Sequence, residues 1–100
     1  MRVAQIQMRV TDNKAENLKT ALDWSQRLKH QDIDIVCLPE MFNCPYDTTH
    51  FPNYAETEQR DTWQFLSKLA RVNNWYVIGG SIPEICDDHY YNTSYTFNRK

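Results

Sequence analysis

The sequence predicts an α/β fold, on three observations. Apolar residues recur every second position in some stretches and every third or fourth in others, the periods of strands and helices. These stretches alternate along the chain, the order that builds a mostly parallel sheet covered by helices. The length, 100 residues, is that of one small domain, with room for one thin core and at most one site.

The first strand is expected over residues 3–8, where Ala4, Ile6 and Met8 alternate with Val3, Gln5 and Gln7. Thr11-Asp12-Asn13 then interrupts the pattern, and Glu16 stands where a capping partner of Asn13 belongs. A helix should run from there to about Leu28, with Ala15, Leu18, Ala21, Leu22, Ser25 and Leu28 on its inner face. Asp23 and Arg27 are spaced to pair on its outside. Residues 33–38, Ile-Asp-Ile-Val-Cys-Leu, are β-branched and nearly continuous in apolar character, as in a strand covered on both sides. Pro39 ends it.

From Glu40 to about Thr57 no period persists, yet Phe42, Tyr46, Phe51 and Tyr54 are spread through the stretch. A long loop so rich in aromatics should be packed and functional. The helical period returns over residues 58–72 through Trp63, Leu66, Leu69 and Ala70, with Asn73-Asn74 as terminator. A third strand is expected over residues 75–78 and a fourth over 90–98, hairpinned on the third. The resulting order is β-α-β-loop-α-β-β, with strands one to three mostly parallel.

Composition narrows the function. Apolar residues at 41% and charged residues at 24% are ordinary soluble usage. A net charge of −2 with no basic stripe argues against nucleic acid as a partner. No run is long and apolar enough to cross a bilayer and the N-terminus lacks a signal-peptide pattern, so the expectation is no membrane and a cytoplasmic location. Cys37, Cys44 and Cys86 are odd in number and match neither a zinc-ligand spacing nor a redox pair. Reduced thiols fit best.

Glu40 is the first candidate for chemistry, because open α/β sheets place ligands beyond the carboxyl ends of their strands. Its neighbours Leu38, Pro39, Met41 and Phe42 are apolar and would strip water from the carboxylate, as a general base requires. These features also fit a solvated loop glutamate, and local residues leave both readings open. Cys44 with His50 could make a nucleophile and its base, although most cysteines are simply small buried hydrophobes. Only two glycines occur, Gly79 and Gly80. Followed by Ile82-Pro83 rather than a helix start, they do not make a phosphate loop; they allow a strand end to bend or another backbone to approach.

Three segments in order carry a resemblance. Val3-Ala4-Gln5-Ile6-Gln7, then Leu38-Pro39-Glu40-Met41-Phe42-Asn43-Cys44-Pro45-Tyr46, then Gly79-Gly80-Ser81-Ile82-Pro83-Glu84 with Tyr91-Asn92-Thr93-Ser94, together resemble the nitrilase superfamily of carbon-nitrogen hydrolases. The omega-amidase-like branch is the most similar. The resemblance implies the N-terminal part of an α-β-β-α sandwich, so that residues 1–100 would be a partial hydrolase domain.

It also implies an amidase needing neither metal nor organic cofactor, acting on a small omega-amide and homo-oligomeric in its full-length form. Glu40 would be the general base: it takes the proton of a cysteine thiol, the thiolate attacks the amide carbonyl, and ammonia leaves. A lysine stabilises the oxyanion, and water then hydrolyses the thioester. Phe42 and Tyr46 would lie near the mouth of the pocket. The family's lysine and nucleophilic cysteine belong to positions beyond this sequence, so these residues alone are expected to be inactive. Two alternatives stand beside this reading: a non-catalytic remnant that associates with a related subunit, and a hydrolase built on Cys44 and His50.

Overall fold

The protein, as a computed structural model, is described over residues 1–100. In chain order its elements are β1 (Val3–Gln5), α1 (Lys14–Gln26), β2 (Ile35–Cys37), α2 (Phe51–Tyr54), α3 (Asp61–Asn73), β3 (Tyr76–Ile78), β4 (Ile82–Cys86), β5 (His89–Thr93) and β6 (Thr96–Phe97). The main sheet has the order β1-β2-β3-β6, with β1, β2 and β3 parallel and β6 antiparallel to β3. The α/β class and the parallel arrangement of the first three strands are as expected.

The expected first strand stops early. Ile6 still donates its N–H to Cys37 O, but β2 ends at Cys37, and a strand without a partner cannot extend its ladder. The cap of α1 forms on one side only: Asn13 Oδ1 accepts the Glu16 N–H, while the Asn13 N–H goes to Thr11 Oγ1. The inner face of α1 is mostly the expected one, with Ala21 and Ser25 buried and Leu18 and Leu28 packed against the core. Asn17, Ala21 and Ser25 are buried, one turn apart, whereas Ala15 and Leu22 are exposed. Asn17 is tolerated inside because its amide exchanges hydrogen bonds with Thr11. Asp23 pairs with Lys19 rather than Arg27, whose guanidinium lies over the Trp24 ring. α3 ends as expected, with Asn74 in the left-handed region (φ 57°).

The expected fourth strand is two strands. Its first part, β5, pairs antiparallel with β4, and only β6 reaches β3. β4 itself was not anticipated: Pro83 and the absence of alternation in Ile82–Cys86 hide it. The turn between β4 and β5 is Asp87-Asp88, both at positive φ (49° and 63°), the backbone a two-residue hairpin favours.

α3 packs on one face of the sheet together with Ala21 of α1. The core there comprises Ile6, Val36, Leu38, Phe42, Leu66, Leu69, Ala70, Trp75, Val77 and Ile82. On the opposite face, Val3, Tyr76 and Ile78 remain 52%, 45% and 40% exposed, and Ile35 and Cys37 are half-buried. β2 is therefore covered on one side, not both. A shortest dimension of 19 Å leaves room for a helix layer and a sheet and no third layer.

Candidate active site

The carboxyl ends of the parallel strands carry the residues the sequence singled out. Beyond β2 the chain turns sharply: Met41, at φ 51°, is a bulky residue in the left-handed region, a conformation that persists only where surroundings enforce it. The enforcement is visible. The buried Ser81 hydroxyl accepts the Met41 N–H at 3.1 Å, and Gly80 brings its backbone against the same turn. At φ 59°, Gly80 has no room for a side chain, because a Cβ there would overlap Pro39 O and lie 2.6 Å from Leu38 O. Gly79 is needed too, since a Cβ would come within 2.6 Å of Leu66 Cδ1 and 2.9 Å of Tyr95 O. The glycine pair thus permits both the bend and the close approach expected of it.

This turn sorts the side chains. Met41, Phe42, Asn43 and Cys44 all point into the protein, while Glu40 is left exposed. The apolar neighbours bury themselves instead of drying the carboxylate, which corrects the expectation that they would shield Glu40 from water. Phe42, expected at a pocket mouth, is fully buried in the core. Tyr46 is exposed beside Glu40, and its hydroxyl donates to Glu40 Oε2 at 3.2 Å. The Glu40 charge holds the Tyr46 phenol above its ordinary range, with the hydrogen bond acting in the same direction.

A second donor reaches the same oxygen. Asn92 of β5 places Nδ2 2.7 Å from Glu40 Oε2. An open cleft of about 370 Å³ lies here, lined by Glu40, Gly80, Ser81, Asn92 and Ser94. Asn92 and Ser81 had been read only as parts of a motif. Their contacts with the Glu40 turn join residues 40 or more positions apart, which no local pattern reveals.

Behind the turn lies a buried polar knot. Glu56, 7% exposed, accepts the Thr62 N–H at Oε1 (2.9 Å) and the Thr62 hydroxyl at Oε2 (2.5 Å). Asn43 Nδ2 donates to Glu56 Oε2 (3.2 Å) and to Thr62 Oγ1 (3.0 Å), and Lys14 Nζ stands 3.1 Å from Glu56 Oε2. Arg60, at the N-cap of α3, makes no side-chain cap, so Glu56 supplies the negative charge that the start of a helix favours. Its backbone also bridges to β4, through Glu56 N–H to Pro83 O and Ile85 N–H to Glu56 O. The loop is packed only at its two ends, residues 41–44 and Glu56; Tyr46 and residues 47–49 between them are exposed, so the expectation of a packed loop holds in part.

Cys44 and His50 do not form a nucleophile and base. Cys44 is fully buried, its thiol donates to Pro45 O, and burial pushes it up to about 11, with only a small opposing pull from Lys14. A thiol so placed is protonated at neutral pH and unreactive. The His50 ring packs edge-on against Tyr54. No helix is long and apolar enough to cross a membrane.

The carbon-nitrogen hydrolase family model matches residues 2–100. The chain belongs to the carbon-nitrogen hydrolase family. The omega-amidase NIT2 of Bos taurus is 46% identical over 96 residues, which are 96% of this chain and 35% of the relative's length. Nitrilase homolog 2 of Dictyostelium discoideum is 40% identical over 99 residues, covering 97% of this chain and 30% of that protein. Among solved structures, Saccharomyces cerevisiae Nit3, a member of branch 10 of the nitrilase superfamily, superposes with a TM-score of 0.83 at 38% identity, over 90% of this chain and 36% of that one. An amidase from Nesterenkonia, at 22% identity, shares the fold with a TM-score of 0.81 over 99% of this chain and 39% of that one. The nitrilase-like fold expected from the sequence is therefore the fold observed, and the chain spans about a third of the length of the relatives it matches.

Proposed function

We propose that these residues are the N-terminal portion of an omega-amidase, a hydrolase that converts the terminal amide of a small dicarboxylic acid monoamide to acid and ammonia. Glu40 is its general base. The observation that carries the reading is the placement of Glu40 on a strained turn at the end of a parallel strand, in a chain of the carbon-nitrogen hydrolase family whose relatives include omega-amidases. The lysine and the cysteine lie on a part of the enzyme beyond residue 100. Glu40 accepts the thiol proton, the thiolate adds to the amide carbonyl, and the lysine steadies the oxygen that gains charge. The proton held by Glu40 passes to the departing nitrogen, which leaves as ammonia. Water then attacks the thioester with Glu40 again as base.

The test has two arms, both reading ammonia release from omega-amides. The chain alone gives no turnover. Joined to the remaining two-thirds of the Bos taurus relative, it turns over, and Glu40→Gln abolishes that turnover. Activity in the isolated chain, or full activity in the joined Glu40→Gln enzyme, overturns the assignment.

The open sheet face supports a second reading. A surface carrying Val3 on β1 and Tyr76 and Ile78 on β3, half-exposed on either side of β2, suits a non-catalytic chain that docks on a related subunit. Size-exclusion chromatography with and without a full-length relative separates the two: a well-behaved monomer that ignores the relative rules out docking.

A further inference from the structure

Asn92 is a polar residue at the cleft to which the hydrolase reading gives no task. Its amide nitrogen donates to Glu40 Oε2 at 2.7 Å, and the Tyr46 hydroxyl donates to that same oxygen at 3.2 Å. Within residues 1–100, no side chain or backbone group donates to Oε1. Two neutral donors therefore converge on one oxygen of a carboxylate and leave the other open. The amide orientation is settled by its neighbour, since turning the Asn92 carbonyl towards a carboxylate would set two acceptors against each other.

The two donors reach Oε2 from different parts of the fold. Tyr46 comes from the loop that carries Glu40 itself, and Asn92 from β5, 52 residues away. β5 is registered on β4 with Asn92 opposite Pro83, and the residue just before β4, Ser81, holds the Met41 N–H. The backbone of the Glu40 turn and the end of its side chain are thus referenced to one hairpin.

We propose that Asn92 is a positioning residue for the base: by holding Oε2 it makes Oε1 the oxygen that receives the thiol proton. An unrestrained carboxylate swings about its last torsion and presents either oxygen, so fixing one removes a search from every turnover. An asparagine suits the task because it donates hydrogen bonds yet does not ionise at neutral pH. The inference rests on Glu40 being the base.

One arm of the experiment needs no turnover. In the ¹⁵N-labelled chain, the resonances of the Asn92 side-chain amide pair are compared by NMR between the wild type and Glu40→Gln at one neutral pH. The pair shifts when the carboxylate it donates to is replaced. An amide pair that does not respond to Glu40 removes the contact and the proposal with it.

The second arm uses the joined enzyme. Asn92→Leu, close in size but without a donor, lowers kcat about tenfold or more with KM within about twofold, as loss of positioning of a general base requires. Asn92→Asp, which sets a second carboxylate against Glu40, loses more, and Tyr46→Phe loses less. An Asn92→Leu enzyme with unchanged kcat, or with KM alone altered, overturns the proposal. Full activity in Glu40→Gln instead overturns the base assignment, a result the NMR arm does not produce.

Discussion

Glu40 and Glu56 stand near the two ends of one loop, and the fold treats the two carboxylates in opposite ways. Glu56 is buried, and between them its oxygens take a backbone N–H, a hydroxyl, an amide and an ammonium. Glu40 is exposed, takes two neutral donors on one oxygen and none on the other. Burying a carboxylate is tolerable only when its acceptor sites are filled, and a filled carboxylate has little capacity left for a substrate or a thiol. The difference separates an acid whose acceptor sites are filled from one that keeps an open oxygen within residues 1–100. Asn43 and Met41 show how closely the two roles are spaced: three residues and one residue from Glu40, each is tied down so that Glu40 itself need not be.

That contrast can be broken from the buried side with the largest effect. Glu56→Ala uncaps α3, strands the Lys14 ammonium and leaves the Asn43 amide without its carboxylate. Urea unfolding should show a loss of about 3 kcal/mol, a large share of the roughly 5–15 kcal/mol that holds a domain together. A loss below about 1 kcal/mol would show that the knot is not structural. Gly80→Ala is next. Its positive φ and the collision with the Pro39 carbonyl should cost about 2 kcal/mol in the same measurement, and an unchanged midpoint would mean the turn has freedom the structure does not suggest.

Glu40→Gln tests the exposed side and should change stability least, by no more than about 0.5 kcal/mol. Its signature lies elsewhere. The Glu40 charge raises the Tyr46 phenol, so the contact is complete below the ordinary phenol range near about pH 10 and is lost as pH climbs through the raised value. In Glu40→Gln the phenol should return to that ordinary range, as read from the Tyr46 ring resonances. A Tyr46 titration identical in both proteins would separate the two side chains in solution.

The periodic elements were legible because their signal is local. β2 and β3 and the stop of α3 at Asn74 are read from residues a few positions apart. β4 escaped because Pro83 breaks the look of a strand, and its pairing with β5 shows only once the Asp87-Asp88 turn folds back. Asn17 on the inner face of α1 was not legible, because it looks like a surface residue until Thr11 satisfies its amide. At the site, Glu40 was legible from its place after a strand and from the segments around it. Asn92 as its partner was not, for the two are brought together by a sheet edge and a hairpin rather than by spacing.

By itself the sequence determined the α/β class, the parallel direction of the first three strands, the family and the candidate base, because periodicity and ordered motifs are properties of neighbours along the chain. Only the tertiary structure decided that Glu40 is exposed while Met41, Phe42, Asn43 and Cys44 turn inward, that Glu56 and not Glu40 is the buried acid, and that one carboxylate oxygen is held while the other is free. Burial and hydrogen-bond partners depend on residues far apart in sequence, and those exist for one another only after the chain has closed.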